Sequence, residues 1–126
     1  MPEQHDEINT LLGRMLQKRL YVVFSTPLQP MSEMRSLLQE HLSYMIELEK
    51  RGLLFASGPF LAEGQELPGS GMSILRVASR AEAEAIAQED PLYKNGMRTY
   101  EIKAWQLNEG SYTVTVNYSD RSYRID

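Results

Sequence analysis

Two histidines occur in the chain, in very different settings. His5 lies in an acidic amino-terminal segment, MPEQHDEINT. His41 lies in Glu40 to Phe60, EHLSYMIELEKRGLLFASGPF, which passes from a helical pattern through a glycine stop into a strand. An imidazole titrates near neutral pH, so one placed beside a pocket can take up a proton and return it. A carboxylate on one ring nitrogen would fix a single tautomer and make the ring a better base. Asp90, in Glu89-Asp90-Pro91-Leu92-Tyr93, is the candidate partner. The residues alone leave two readings open. Either His41 and Asp90 frame a small pocket, or His41 is a core-edge residue bonded to a backbone carbonyl and Asp90 only ends a helix.

Three further residues could shape such a pocket. Ser57 could donate a hydrogen bond into it, and Gly58 would let a ligand approach the backbone closely. The alternative for both is an ordinary strand-ending turn at Gly58-Pro59. Tyr93, like Tyr44, could line the cleft or could simply pack. Trp105 is expected in the core. Nothing around Ser57 resembles a nucleophile elbow, so acyl-enzyme chemistry is not expected. The chain has no cysteine, which excludes disulfides, thiolate metal sites and a cysteine nucleophile. His5 and His41 have no ligand-spaced companions, and Gly64, Gly69 and Gly71 do not form a phosphate loop. The expectation is a site with no metal and no cofactor.

The elements that must position these residues follow from periodicity. Ile8, Leu11, Leu12 and Met15 recur at helical spacing, with Arg14, Lys18 and Arg19 toward the end that suits cations. Leu20 to Ser25 is an unalternating β-rich run, expected to be a central strand covered on both faces. After Pro27 and Pro30, Ser32 is the predicted cap of a helix in which Leu37, Leu38, Leu42, Met45, Ile46 and Leu48 recur until Lys50, Arg51 and Gly52. His41 falls within that stripe. Leu53 to Ser57 is a second strand, Glu63 to Gly71 a loop, and Met72 to Val77 a third strand.

Ser79, with Glu82 three residues on, caps a second helix whose Ala81, Ala83, Ala85 and Ala87 permit close packing. It stops before Asp90-Pro91, because the residue before proline disfavours helix. Thr99 to Leu107 is a fourth strand, with Tyr100, Ile102 and Ala104 on one face and Trp105 and Leu107 on the other. Tyr112, Val114, Val116 and Tyr118 alternate with polar residues, the period of a further half-buried strand. Ser119 to Asp126 is polar and expected to be exposed or laid along a neighbouring subunit.

The 126 residues fit a single domain spanning 1–126, with a core at 20–107, a helical extension at 1–19 and a strand and tail at 108–126. The net charge of −4 has the wrong sign for phosphate-backbone affinity, so nucleic acid is not an expected partner. The longest apolar run, Leu20 to Phe24, is far short of the ~20 residues of a bilayer span. No secretory pattern opens the chain, and a cytoplasmic location is expected.

Setting the ends aside, the order is strand, helix, strand, strand, helix, strand, which is the split βαβ arrangement of an α+β, ferredoxin-like sandwich. Both helices then cover one sheet face. The other face also carries apolar residues, so a homodimer or higher homo-oligomer packed sheet against sheet is expected, with the 112–118 strand as an exchanged or augmenting element.

In this order and at these separations, certain elements together resemble the YCII-related proteins of the dimeric α/β-barrel superfamily. They are mid-helix His41, the leucine-rich helix ending at Gly52, the Ser57-Gly58-Pro59 turn, Asp90-Pro91 followed by Gly96, and a last strand ending near Trp105. The resemblance covers about Leu20 to Leu107. It implies a His–Asp pair in a cleft, which falls on His41 and Asp90. Leu38 stands where many members carry an arginine, three residues before the histidine, and the 1–19 helix and 112–118 strand are additions. Related folds serve as isomerases, dehydrochlorinating lyases and monooxygenases. The resemblance therefore implies a small enzyme moving a proton on a small-molecule ligand, in isomerisation or elimination without cofactor. The other reading is a non-catalytic, metabolite-binding or accessory dimer.

Overall fold

The computed structural model describes residues 2–64 and 68–126, with only the backbone of Pro2 and Glu3. The middle of the expected 63–71 loop, residues 65–67, lies outside the described residues. Two compact units are present: Arg19–Gln106, and the two chain ends, up to Lys18 and from Leu107 onward.

In the larger unit the order is β1 (Lys18–Pro27), α1 (Met31–Lys50), β2 (Leu54–Pro59), β3 (Gly71–Leu75), α2 (Arg80–Gln88), α3 (Pro91–Lys94) and β4 (Arg98–Leu107). The sheet order is β2-β3-β1-β4, with β3 antiparallel to both β1 and β2. This is the ferredoxin-like arrangement, extended by the short helix α3. β1 is interior, and Leu20, Tyr21, Val22 and Val23 are all buried, as an unalternating apolar run requires.

The helix ends show which local signals were decisive. α1 is capped by Pro30, whose extended φ and ψ set the helix entry without a side-chain hydrogen bond; Ser32, the predicted cap, lies two residues further in, inside the first turn. Proline needs no donor at that point and fixes the entry angle, so it displaces the serine. At the other end Gly52 takes φ +78°, and its amide bonds to Glu49 while that of Leu53 bonds to Leu48. That left-handed turn is the glycine stop. α2 is capped as expected: Ser79 Oγ accepts from the Glu82 amide at 3.2 Å, and Glu82 Oε2 accepts from the Ala78 amide at 2.9 Å.

The core lies between the sheet and the helices, where Tyr21, Val23, Leu75 and Ile102 meet Ala83 and Ala87 of α2. Alanines let α2 sit close on the strands. α1 does not sit close, since only Met34 and Leu48 of its stripe are buried. The space beneath it is the cleft described below. The opposite sheet face carries Phe24, Met72 and Trp105 alongside Val22 and Ile74. Trp105 is 40% exposed, so it does not join the core. An aromatic at that register looks away from the face that α2 covers.

The smaller unit holds an amino-terminal helix, Pro2–Arg14, here αN, and a two-stranded antiparallel hairpin, β5 (Val114–Asn117) and β6 (Ser122–Ile125). The tail thus differs from its predicted form: the strand is shorter than 112–118, and the polar end supplies its partner. Arg121 at φ +59° and Asp120, whose carboxylate accepts from the Ser122 amide at 3.0 Å, close the turn. Hydrogen bonding from Ser122 holds the Asp120 carboxyl below its ordinary value. Val114 and Val116 remain at least half exposed. Among the described residues no helix is long and apolar enough to cross a membrane.

Candidate active-site cleft

His41 occupies the sheet-facing side of α1, and Asp90 stands at the junction of α2 and α3. The structure brings them together: His41 Nδ1 lies 2.8 Å from Asp90 Oδ2 and 3.0 Å from Oδ1. Asp90 is buried, while the His41 side chain keeps 23% of its surface exposed. A carboxylate can only accept, so the neutral ring carries its proton on Nδ1 and its lone pair on Nε2. Asp90 has a second duty. As the residue before Pro91 it takes extended backbone angles, and its Oδ1 accepts from the Leu92 amide at 2.9 Å, capping α3. A four-residue helix carries no periodicity, so α3 was not legible; the Asp-Pro pair is its one sequence sign.

Both residues line a cleft of about 480 Å³ between α1 and the sheet. Its walls are mostly apolar, with Val23, Met34, Leu38, Met45, Leu48 and Leu75 contributing. That volume suits a small organic molecule rather than a polymer.

The other predicted residues also reach this cleft. Ser57 lines it with its hydroxyl 2.9 Å from that of Ser73, its partner across the β2–β3 pair. Gly58 lines it too, but a Cβ built there meets nothing within 4 Å. The glycine without room for a side chain is Gly71, where a Cβ would lie 2.8 Å from the Gly58 carbonyl oxygen and 3.1 Å from Pro59 Cα. Tyr93 lines the cleft, its ring edge-on to Tyr100 with centroids 5.0 Å apart. Burial pushes its hydroxyl up from the ordinary tyrosine value, opposed by hydrogen bonding with Ser25 and by Arg98. Tyr44 donates to the Ile86 carbonyl at 2.6 Å. Burial first, then the negative charges of Asp90 and Glu89, push its hydroxyl up to about 12.

Arg98 and Ser25 are cleft residues that the sequence reading did not single out. Arg98, at the start of β4, donates from Nε to Ser25 Oγ at 2.6 Å and from a terminal nitrogen to the Gly69 carbonyl. Strand parity held the clue: Arg98 shares its face with Tyr100 and Ile102, and Ser25 shares its face with Tyr21 and Val23. Among the described residues no group of three or more His, Asp or Glu side chains converges to hold a metal ion.

Comparison with solved structures finds the same fold in a 5-chloro-2-hydroxyhydroquinone dehydrochlorinase, TftG, from Burkholderia phenoliruptrix AC1100, in complex with 2,5-dihydroxybenzoquinone. The TM-score is 0.56 at 19% sequence identity, over 68% of this chain and 92% of that one. Comparison with curated proteins finds no match. The model of the YCII-related domain matches residues 19–106, the stretch that builds the sheet, α1 and the His41–Asp90 cleft. On that match the chain belongs to the YCII-related family.

Proposed function

We propose that the cleft binds a small organic molecule and that His41 moves a proton on it, in an isomerisation or an elimination that needs no cofactor. One observation carries this reading: an imidazole oriented by a buried carboxylate at 2.8 Å borders an apolar cleft of about 480 Å³. Nε2 takes a proton from a C–H or O–H of the ligand, and the electron pair moves into the ligand's conjugated carbonyl system. Returning the proton at another position completes an isomerisation. Expelling an anionic leaving group, such as chloride, completes an elimination. The positive charge that develops on the ring is met by Asp90. The name and ligand of the structural neighbour, a dehydrochlorinase holding a dihydroxyquinone, favour elimination from an oxygenated ring.

The protein acts in the cytoplasm as a homodimer, its two sheets meeting through the face that carries Phe24, Met72 and Trp105. A second reading has its own support. Because Asp90 also caps α3, its hydrogen bond with His41 fastens α1 to α3, a role that a non-catalytic binding protein would equally need.

Chloride release from 5-chloro-2-hydroxyhydroquinone, measured together with deuterium uptake from D2O by small carbon acids, separates the two. Turnover that falls by about 10²-fold or more in His41→Ala supports proton transfer. Turnover unchanged in that variant removes His41 from the chemistry. Ligand binding without turnover in the wild-type chain selects the binding protein.

A further inference from the structure

Arg98 is a cation placed where the mechanism above makes no use of it. It is half-buried, lines the cleft, and reaches Ser25 Oγ, Met34 Sδ and the Gly69 carbonyl, with the Tyr93 hydroxyl beside it. All four partners are uncharged. Among the described residues no carboxylate lies within 4 Å of the guanidinium, whereas Arg51 and Arg124 each have one. A partly buried cation whose described partners are all neutral gains when an anion arrives to complete it. Its planar fork suits a delocalised oxyanion.

We propose that Arg98, with Tyr93 and Ser25, forms an oxyanion subsite in the cleft, and that the ligand is a small conjugated acid bound as its anion: a carboxylate, an enolate or a hydroxyquinone. This rests on reading the cleft as the ligand site. Sheet register supports the placement. Ser25 of β1 sits opposite Gly71 of β3, next to the Val23 and Ser73 pair, all on the face that α1 overhangs. Leu38, on α1, lines the facing wall and carries no charge. Arg98 brings a positive charge to the same cleft from the opposite wall, on the sheet. Once Nε2 has taken a proton, the electron pair left on the ligand is held at oxygen by the guanidinium.

The test compares two ligands of one outline by calorimetry on the full chain: 2,5-dihydroxybenzoquinone, an anion at neutral pH, and uncharged 2,5-dimethoxybenzoquinone. The wild-type chain should prefer the anion by about tenfold or more. Arg98→Gln should abolish the preference, Arg98→Lys should keep part of it, and His41→Asn should keep it in full. Equal binding of the two ligands by the wild-type chain, or no binding of the anion at millimolar concentration, overturns the subsite, and both measurements stand even if Arg98→Gln fails to fold. An anion preference that survives in folded Arg98→Gln overturns it as well. Loss of turnover in His41→Asn with the preference intact separates the failure of one reading from that of the other.

Discussion

Nδ1 of His41 and Oδ2 of Asp90 stand 2.8 Å apart although 49 positions separate them, and the other Asp90 oxygen accepts the Leu92 amide. One buried carboxylate therefore fixes both the imidazole and the start of α3. The two duties can be separated by substitution. Asparagine caps helices about as well as aspartate, so Asp90→Asn should leave most of the stability in place. It should also remove the charge that holds His41 in its Nδ1–H tautomer, which ¹⁵N shifts of the ring report directly. Asp90→Ala loses both and should cost about 2–4 kcal/mol in urea unfolding. If the alanine and asparagine variants are equally stable, the cap contributes nothing.

Tyr44 gives a dependence on alkaline pH. Its folded value is raised from 10.0 to about 12, so the folded state holds the phenolic proton more tightly than the unfolded chain. The resulting stability is fully present below pH 10 and is lost as pH rises toward 12. Tyr44 is only partly buried, so solvent screening keeps the effect modest. The urea midpoint should fall across this window in the wild-type chain and fall less in Tyr44→Phe. Parallel profiles would show that another group is responsible.

Two cleft glycines that face each other diagonally across the β2–β3 pair should respond unequally to one methyl group. At Gly71 a Cβ meets backbone of β2, which cannot yield without parting the strand pair, and Gly71→Ala should lower stability by about 1–3 kcal/mol. At Gly58 the space is open, and Gly58→Ala should change stability by less than about 0.5 kcal/mol. Thermal melts of the two variants decide the matter.

Assembly is tested by light scattering on the eluting protein. The expected mass is twice that of the 14.4 kDa chain, and Trp105→Asp, on the proposed sheet-to-sheet contact, should shift it toward the monomer. A wild-type chain that runs as a monomer at micromolar concentration removes the dimer.

Much of this architecture could be seen in the residues because long elements repeat their signals. The unalternating Leu20–Val23 run, the stripe through Leu37, Leu48 and His41, and the Ser79–Glu82 cap each mark their element several times over. The misses were short or polar. α3 is one turn held by Asp90 and Pro91, and β6 carries Ser, Tyr, Arg and Ile with no buried face to impose a pattern. Pro30 overrode Ser32 because a fixed φ at the helix entry needs no hydroxyl. Arg98 falls one residue before the expected Thr99–Leu107 strand, and Ser25 ends the expected Leu20–Ser25 strand, so neither position was assigned a face. Their parity with Ile102 and Val23 supplies one.

The hydroxyls of Ser57 and Ser73 meet at 2.9 Å, and either can be the donor. Rotation of two hydrogens therefore reverses the polarity of that part of the cleft without moving a heavy atom. A donor and an acceptor on a bound molecule can be met equally well there. The serine pair therefore does not by itself choose between the two.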